Sequence, residues 1–304
     1  MYEEKQPFDT RELLAKLPLL LIATANKLER EWPSHYRTVD SARLIFFTRI
    51  RIAVNTHQSI MYLIATSPKD PHRDPRFVLS IPMLVRSLYE ELVTIIFLLH
   101  DIPNYIPYLF KTGYKERWLE LQFRQKYYAR DPAWKEPIER LKKQMALEAQ
   151  VLGLTSAQIA DPDNSFGRWP QPPKMLSIIR RNHPNSSAIT FVEYLNDWVY
   201  RFLSGQTHLD LSALTRKGIH FSNEQARIQF GERWEAEIKA QLDRYTQEQM
   251  YLTWAILLSI ASEVEAHFRF GLKERAVMLW QLLTKHSDYS AEFFNRRYQK
   301  LLDY

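Results

Sequence analysis

Glycine is scarce in this chain, and its scarcity limits the available folds more than any other feature. The sequence has 7 glycines and 16 prolines in 304 residues, whereas glycine usually makes up about 7% of a protein. Tight hairpins and phosphate-binding loops both depend on glycine, because they need backbone conformations that other residues avoid. We therefore predict an all-α fold without a Walker or Rossmann phosphate loop.

Cysteine usage and charge exclude further classes of site. With no cysteine, the chain cannot form a disulfide, a cysteine-bearing zinc site, an iron–sulfur cluster or a cysteine nucleophile. Lysine and arginine number 41 against 35 for aspartate and glutamate, which gives a formal net charge of +6. This mild excess is compatible with an anionic partner, but it does not by itself indicate one.

Neither the N-terminus nor the most apolar segment indicates export or a membrane. The first ten residues, MYEEKQPFDT, have more acidic than basic residues, so we expect no signal peptide. Residues 77–100 could span a bilayer by length, but Arg86, Glu90 and Glu91 lie near the middle, where each charge would be costly in lipid. We expect a cytoplasmic protein that contacts no membrane, with this segment as a buried helix whose charges are paired or line a site.

Helical patterning continues along the whole chain. Apolar residues recur every three or four positions, and proline-containing linkers separate the helical segments. We predict a multi-helix bundle in a single domain over 1–304, with a core at approximately 41–100 and 191–270, a helical insertion at approximately 104–174, and C-terminal helices at 272–304.

The predicted insertion has two parts. Amphipathic, charge-rich segments at about 108–128 and 133–152 predict two helices of an outer layer. Residues 154–174 are rich in Pro, Asp and Asn, which predicts a long loop.

The apolar segment holds the first candidate for chemistry. In VRSLYEEL, Arg86 and Glu90 are four residues apart, so they can meet across one helical turn. One interpretation is structural, because charges in a protein interior are kept with a partner. The other is functional: an arginine forks around a phosphate or carboxylate, and Glu90 would orient it.

The second candidate lies in VYRFLSGQTHLDL. Tyr200, Ser204 and His208 are spaced by four residues, and Arg201 precedes His208 by seven, which is almost two helical turns. We therefore expect Arg201 and His208 to project from the same side of a helix.

A histidine and an arginine on one helix face can serve catalysis. The histidine can transfer a proton near neutral pH, while the arginine holds a phosphate and stabilises its extra charge in the transition state. Together they can promote attack of an RNA 2′-hydroxyl on the adjacent phosphate without a metal. The structural alternative is that His208 is a hydrogen-bonded core histidine and Arg201 a solvated surface residue.

The order of these motifs resembles a family of bacterial all-helical proteins known only as a domain of unknown function. Its members have an R-S-x-x-E helix followed by a Y-x-x-x-S-x-x-x-H helix. The similarity covers roughly residues 42–211. It rests on Arg86, Ser87, Glu90, Tyr200, Ser204 and His208.

More distantly, the chain resembles HEPN domains, helical bundles in which an arginine and a histidine cleave RNA at a dimer interface. The resemblance implies a HEPN-like core in which Arg201 and His208 are the catalytic pair, with no cofactor and no metal. It also implies RNA as substrate, a homodimer, a role in bacterial antiphage defence or a toxin system, and a partner protein of the same operon. The supporting residues would be Arg86, Glu90, Tyr200 and Ser204.

Two other classes of function remain open at this point. A non-catalytic sensor or scaffold would bind a partner protein or a small anionic ligand in the same polar pocket. A metal-dependent hydrolase would require His57, Glu90 and His208 to meet, since imidazole and carboxylate suit a first-row divalent ion.

Overall fold

The structure is a computed structural model that describes residues 11–34, 36, 40–65, 80–208 and 223–303. Within these ranges, only the backbone is described for residues 40, 206–208, 223, 225, 226 and 242. Every regular element in the described ranges is a helix, and none is a strand. The prediction of an all-α, multi-helix fold is therefore confirmed.

Within residues 80–208 and 223–303, the helices follow one another with short connections. Two π-helical turns cover Leu195–Tyr200 and Phe294–Tyr298, and a 3₁₀ turn covers Gly231–Arg233. The α-helices are α1 (Arg11–Arg30), α2 (Asp40–Ala65), α3 (Ile81–His100), α4 (Ile102–Tyr128), α5 (Pro132–Val151), α6 (Ser156–Ala160), α7 (Pro162–Ser165), α8 (Pro172–Asn182), α9 (Ala188–Tyr194), α10 (Arg201–His208), α11 (Asn223–Phe230), α12 (Trp234–Phe268), α13 (Lys273–Thr284), α14 (Asp288–Phe293) and α15 (Gln299–Leu301).

Contacts divide the chain into two compact units. The first combines Met1–His100 with Met175–Tyr304, and the second is Asp101–Lys174. The single domain over 1–304, with an insertion at approximately 104–174, stays a prediction.

Helices α3 and α12 pack against each other at the centre of the first unit. Every side chain from Leu92 to Leu98 and from Tyr251 to Glu265 is buried. A helix that is buried all round needs internal partners for its polar side chains. In α12 the hydroxyls of Thr253 and Ser259 donate to carbonyl oxygens four residues earlier, at 2.7 Å in each case.

The charges within the apolar segment are paired. Arg86 Nε donates to Glu90 at 3.0 Å, and Arg49 of α2 donates to Glu91 at 2.7 Å. Within the described ranges, no helix is both long enough and apolar enough to cross a bilayer.

The second unit is built on the α4–α5 helical hairpin. Tyr114 and Leu121 of α4 pack with Ile138, Leu141 and Met145 of α5. The buried Lys115 ammonium of α4 donates to the backbone carbonyls of residues 163 and 166, both at 2.8 Å. These bonds tie the segment after α5 to α4.

The prediction of a long loop at 154–174 is wrong for three stretches, which form α6, α7 and the first three residues of α8. Thr155 and Gln158 form reciprocal side-chain-to-backbone bonds at the start of α6. Asp161 then caps α7 by accepting from the Asn164 N–H at 3.2 Å, and Pro162 lies in the first turn. The Pro and Asp residues that predicted a loop are here the capping residues of short helices.

His57 of α2 is a core residue. It is 3% exposed, and its Nε2 accepts the indole N–H of Trp254 at 3.3 Å. Because burial disfavours the charged imidazole, the pKa of His57 falls from 6.5 to about 4. In the folded protein, His57 therefore binds its second ring proton less tightly than it does in the unfolded chain.

We predict that protonation of His57 in acid lowers the free energy of unfolding. The contribution of His57 to stability is complete above pH 6.5 and is lost as the pH falls towards 4. Between pH 7 and pH 4.5 this contribution falls by about 2 to 3 kcal/mol. Urea unfolding at the two pH values should show this loss in the parent protein and not in His57→Gln, which retains an acceptor for Trp254. Equal pH dependence in both proteins would contradict the assignment.

Candidate functional site

The two sequence motifs lie against each other, because α10 packs on α3. The Arg86 guanidinium lies 5.2 Å from the centre of the Tyr200 ring, and its Nη2 is 3.5 Å from the Tyr200 hydroxyl. Glu90 holds the other side of the guanidinium through Nε. Arg86, Glu90 and Tyr200 therefore form one polar cluster, which is half-buried.

Tyr89 extends this cluster into the core. Its hydroxyl donates to the side-chain oxygen of Asn196, and its ring centre is 5.7 Å from that of Tyr200. Burial raises the pKa of Tyr89 far above its ordinary value, so the hydroxyl stays protonated. The buried side-chain nitrogen of Asn196 has no hydrogen-bond partner among the described residues.

Asn196 and Tyr200 belong to the π-helical turn Leu195–Tyr200, which directly precedes α10. Such turns insert extra backbone into a helix and are frequent at functional sites. Here the turn fixes the rotation at which α10 begins, and it places Tyr200 on the side of α3.

Arg201, the first residue of α10, is exposed to solvent, unlike Tyr200. Its side chain is 78% exposed, and its nearest acid is Asp197, at 3.6 Å and 74% exposed. An ion pair this open to water contributes little to stability. The Arg201 guanidinium is therefore accessible to an anion in solution.

His208 is the last residue of α10, and its side chain lies outside the described part of the chain. The helical backbone runs without interruption from Arg201 to His208, across Gly205. Ser204, one turn before His208, is half-buried. The structure thus brings Arg86, Glu90 and Tyr200 together and exposes Arg201, while the contacts of the His208 imidazole stay a prediction.

Among the described residues, no group of three His, Asp or Glu side chains is arranged to hold a metal ion. His57, one of the ligands in the metal hypothesis, is bonded to Trp254 in the core. The His208 side chain needed for that hypothesis is not among the described ones.

A second polar site, which the sequence did not predict, lies at the other end of α3. His100, the last residue of α3, places Nδ1 2.7 Å from the carbonyl oxygen of Ile96. Its Nε2 is 2.6 Å from Oγ of Ser186. The His183 ring lies 5.4 Å from that of His100.

A buried ion pair adjoins this histidine. Arg297 is 8% and Glu263 4% exposed, and two guanidinium nitrogens of Arg297 donate to the two carboxylate oxygens of Glu263. Tyr298 donates to the same carboxylate at 3.1 Å. The pair raises the pKa of Arg297 above its ordinary value, although burial acts in the opposite direction.

A cavity of about 220 Å³ opens between these side chains. Half of its lining is polar and half is apolar. The lining residues are Ile96, Leu99, His100, Glu263, Ala266, His267, Arg297 and Leu301.

The sequence carried no signal for this second site. Ser186 is 86 residues from His100, and Arg297 is 34 from Glu263, so no short spacing joins them. The one local hint is His100 itself, a polar residue at the end of an apolar run.

Comparison with known proteins gives no relative from which to transfer a function. No family model, no curated protein and no solved structure matches this chain. The resemblance to the bacterial family and to HEPN domains therefore stays a prediction from the motifs.

We predict that Arg86 stabilises the contact between α3 and the π-helical turn that precedes α10. Arg86→Met removes the bond to Glu90 and the stacking on Tyr200, and should lower the free energy of unfolding by about 1 to 2 kcal/mol. The matched control is Arg296→Met, since Arg296 also bonds a glutamate four residues away and lies over a tyrosine, but is 50% exposed. The control should change stability by less than about 0.5 kcal/mol. Equal effects in urea unfolding would contradict a special role for Arg86.

Proposed function

We propose that this protein is a metal-independent, HEPN-like endoribonuclease in which His208 is the general acid/base and Arg201 binds the scissile phosphate. The observation that carries the proposal is the exposure of Arg201, at the start of a continuous helix that ends at His208. A surface arginine with only a weak partner can bind a phosphate at little cost.

The proposed reaction needs only these two groups and the RNA. The imidazole of His208 takes the proton of a ribose 2′-hydroxyl, and the oxygen attacks the adjacent phosphorus. The bond from phosphorus to the 5′-oxygen breaks, and the imidazolium of His208 returns its proton to that oxygen as it leaves. The RNA fragment that retains the attacked phosphate then ends in a 2′,3′-cyclic phosphate. Arg201 stabilises the additional negative charge of the transition state.

The polar cluster of Arg86, Glu90 and Tyr200 would position the two catalytic residues and would not itself react. Arg86 and Glu90 hold Tyr200, the residue that precedes Arg201. Ser204 would orient His208 from one turn away. The π-helical turn before α10 supports this role, because it sets where the helix presents its side chains.

The surface of the α4–α5 hairpin supports RNA as the partner. Phe123 and Tyr127 are 53% and 60% exposed, with ring centres 4.8 Å apart. Lys126 and Arg130 lie exposed beside them. Exposed aromatic rings stack on bases, while neighbouring cations neutralise phosphates.

The remaining parts of the proposal rest on the motif resemblance. We place the activity in the cytoplasm, in bacterial antiphage defence or a toxin system. The active form would be a homodimer, regulated by a partner protein of the same operon.

A second candidate function is a non-catalytic sensor or scaffold that binds a partner protein or a small anionic ligand. The observation that favours it is the pairing of Arg86 with Glu90 and Tyr200, because such a cluster can serve structure alone.

The test is cleavage of total RNA by the purified protein in EDTA and in magnesium. We expect cleavage in both buffers. His208→Ala should lower the rate by about 10²- to 10⁴-fold, and Arg201→Ala by about 10²- to 10³-fold. Arg296→Ala, which removes another exposed arginine paired at four-residue spacing, should cleave like the parent protein.

Circular dichroism of each variant separates lost chemistry from lost fold. Absence of cleavage by folded parent protein in both buffers would overturn the nuclease proposal and favour the sensor or scaffold. Cleavage that requires magnesium, or that survives His208→Ala, would overturn the proposed mechanism.

A further inference from the structure

We infer that Ser186 and His100 form a second reactive site, a serine nucleophile with its general base, that acts on small esters. The site is independent of the proposed nuclease, since it shares no residue with Arg201 or His208. The geometry that carries the inference is a chain of two short contacts, from Ser186 to His100 at 2.6 Å and from His100 to Ile96 at 2.7 Å.

The hydrogen-bond partners fix the direction of both bonds. The carbonyl oxygen of Ile96 can only accept, so Nδ1 of His100 carries the ring proton and donates. In a neutral imidazole Nε2 is then the acceptor, and the Ser186 hydroxyl must donate to it. This tautomer is the one in which a histidine can remove the proton of a serine.

The surroundings of His100 keep it neutral. Burial, which is the largest influence, lowers the pKa of His100, and the nearby His183 and Arg297 lower it further. The carbonyl of Ile96 and the carboxylate of Glu263 act in the opposite direction, and the net shift is downward. The Nε2 lone pair of His100 therefore accepts from Ser186 at neutral pH and can take its proton.

The Ser186 oxygen keeps a lone pair for attack. One lone pair accepts the N–H of Ala188 at 3.2 Å, while the proton points to His100. A hydroxyl has two lone pairs, so one remains. Ser186 is half-buried rather than enclosed, which leaves it accessible to a small molecule.

The substrate class is inferred from the cavity that His100 lines. Ser186 is not among the lining residues but bonds the same imidazole. Its volume of about 220 Å³ is below that of a drug-sized site. Ile96, Leu99 and Leu301 give one apolar side for a short acyl chain, and Arg297 gives a cationic group on the polar side. Since Glu263 neutralises much of that charge, we expect weak stabilisation of the oxyanion and a slow reaction at Ser186.

The proposed step is a balanced acyl transfer. A bond forms between Oγ of Ser186 and the ester carbonyl carbon while the serine proton moves to Nε2 of His100. The bond from that carbon to the alcohol oxygen then breaks, and the alcohol leaves with the proton from Nε2. Water repeats the sequence on the acyl-serine and releases the acid.

The test is covalent labelling of the full-length protein by a fluorophosphonate probe, followed by peptide mass spectrometry. The serine oxygen displaces fluoride from phosphorus, and the serine proton passes to His100. We expect one probe per chain, attached to Ser186. His100→Gln should lower the labelling rate at least about 100-fold.

Two variants control for fold and for neighbouring serines. Ser186→Asn retains an oxygen that can cap the Ala188 N–H but cannot be labelled, so it should be folded and unlabelled. Ser187→Ala removes the adjacent hydroxyl, which accepts from Arg297 and does not bond His100, and should be labelled at the parent rate.

Each outcome decides the proposal. Labelling at Ser186 that depends on His100, with release of nitrophenol from p-nitrophenyl acetate, would support it. It would be overturned if the folded protein stays unlabelled while a known serine esterase reacts beside it. Labelling at another residue, or labelling of Ser186 at the same rate without His100, would also overturn it. None of these results bears on cleavage of RNA, so failure here leaves the nuclease proposal standing.

Discussion

The packing of α3 against α12 is the interaction on which the rest of the structure depends. Both helices are buried over several turns, so their polar side chains there bond within the protein, as the Thr94 hydroxyl does to the carbonyl oxygen of Glu90. The charged and titratable side chains of α3 lie outside its most buried stretch, Leu92 to Leu98. Arg86 and Glu90 lie in the first half, and His100 is the last residue. The two candidate sites of this protein are consequences of that arrangement.

Helix boundaries could be predicted where apolar periodicity and a capping residue agree, as for α5, which was expected at about 133–152 and covers Pro132–Val151 after the cap Asp131. They could not be predicted where a proline can either interrupt a helix or lie in its first turn. A helix was expected at about 108–128, but Asp101 caps α4, which begins at Ile102 with Pro103 in its first turn. A proline in the first helical turn costs nothing, because its missing N–H would have no partner there.

The candidate site was predictable in its parts but not in its geometry. Four-residue spacing indicated the Arg86–Glu90 pair, but the stacking on Tyr200 depends on a π-helical turn that no local pattern signals. Ser186 and His100 meet only through the tertiary fold. Sequence spacing finds partners within one helix, whereas pairs between helices need the packing to be known.

The central claim is that Arg201 and His208 cleave RNA through its own 2′-hydroxyl. The most direct measurement compares an unmodified oligoribonucleotide with the same sequence carrying 2′-O-methyl groups throughout, in EDTA, with mass spectrometry of the products. We expect cleavage of the unmodified strand alone, with a 2′,3′-cyclic phosphate on the product. Cleavage of the methylated strand, or products without the cyclic phosphate or its hydrolysed form, would contradict the account.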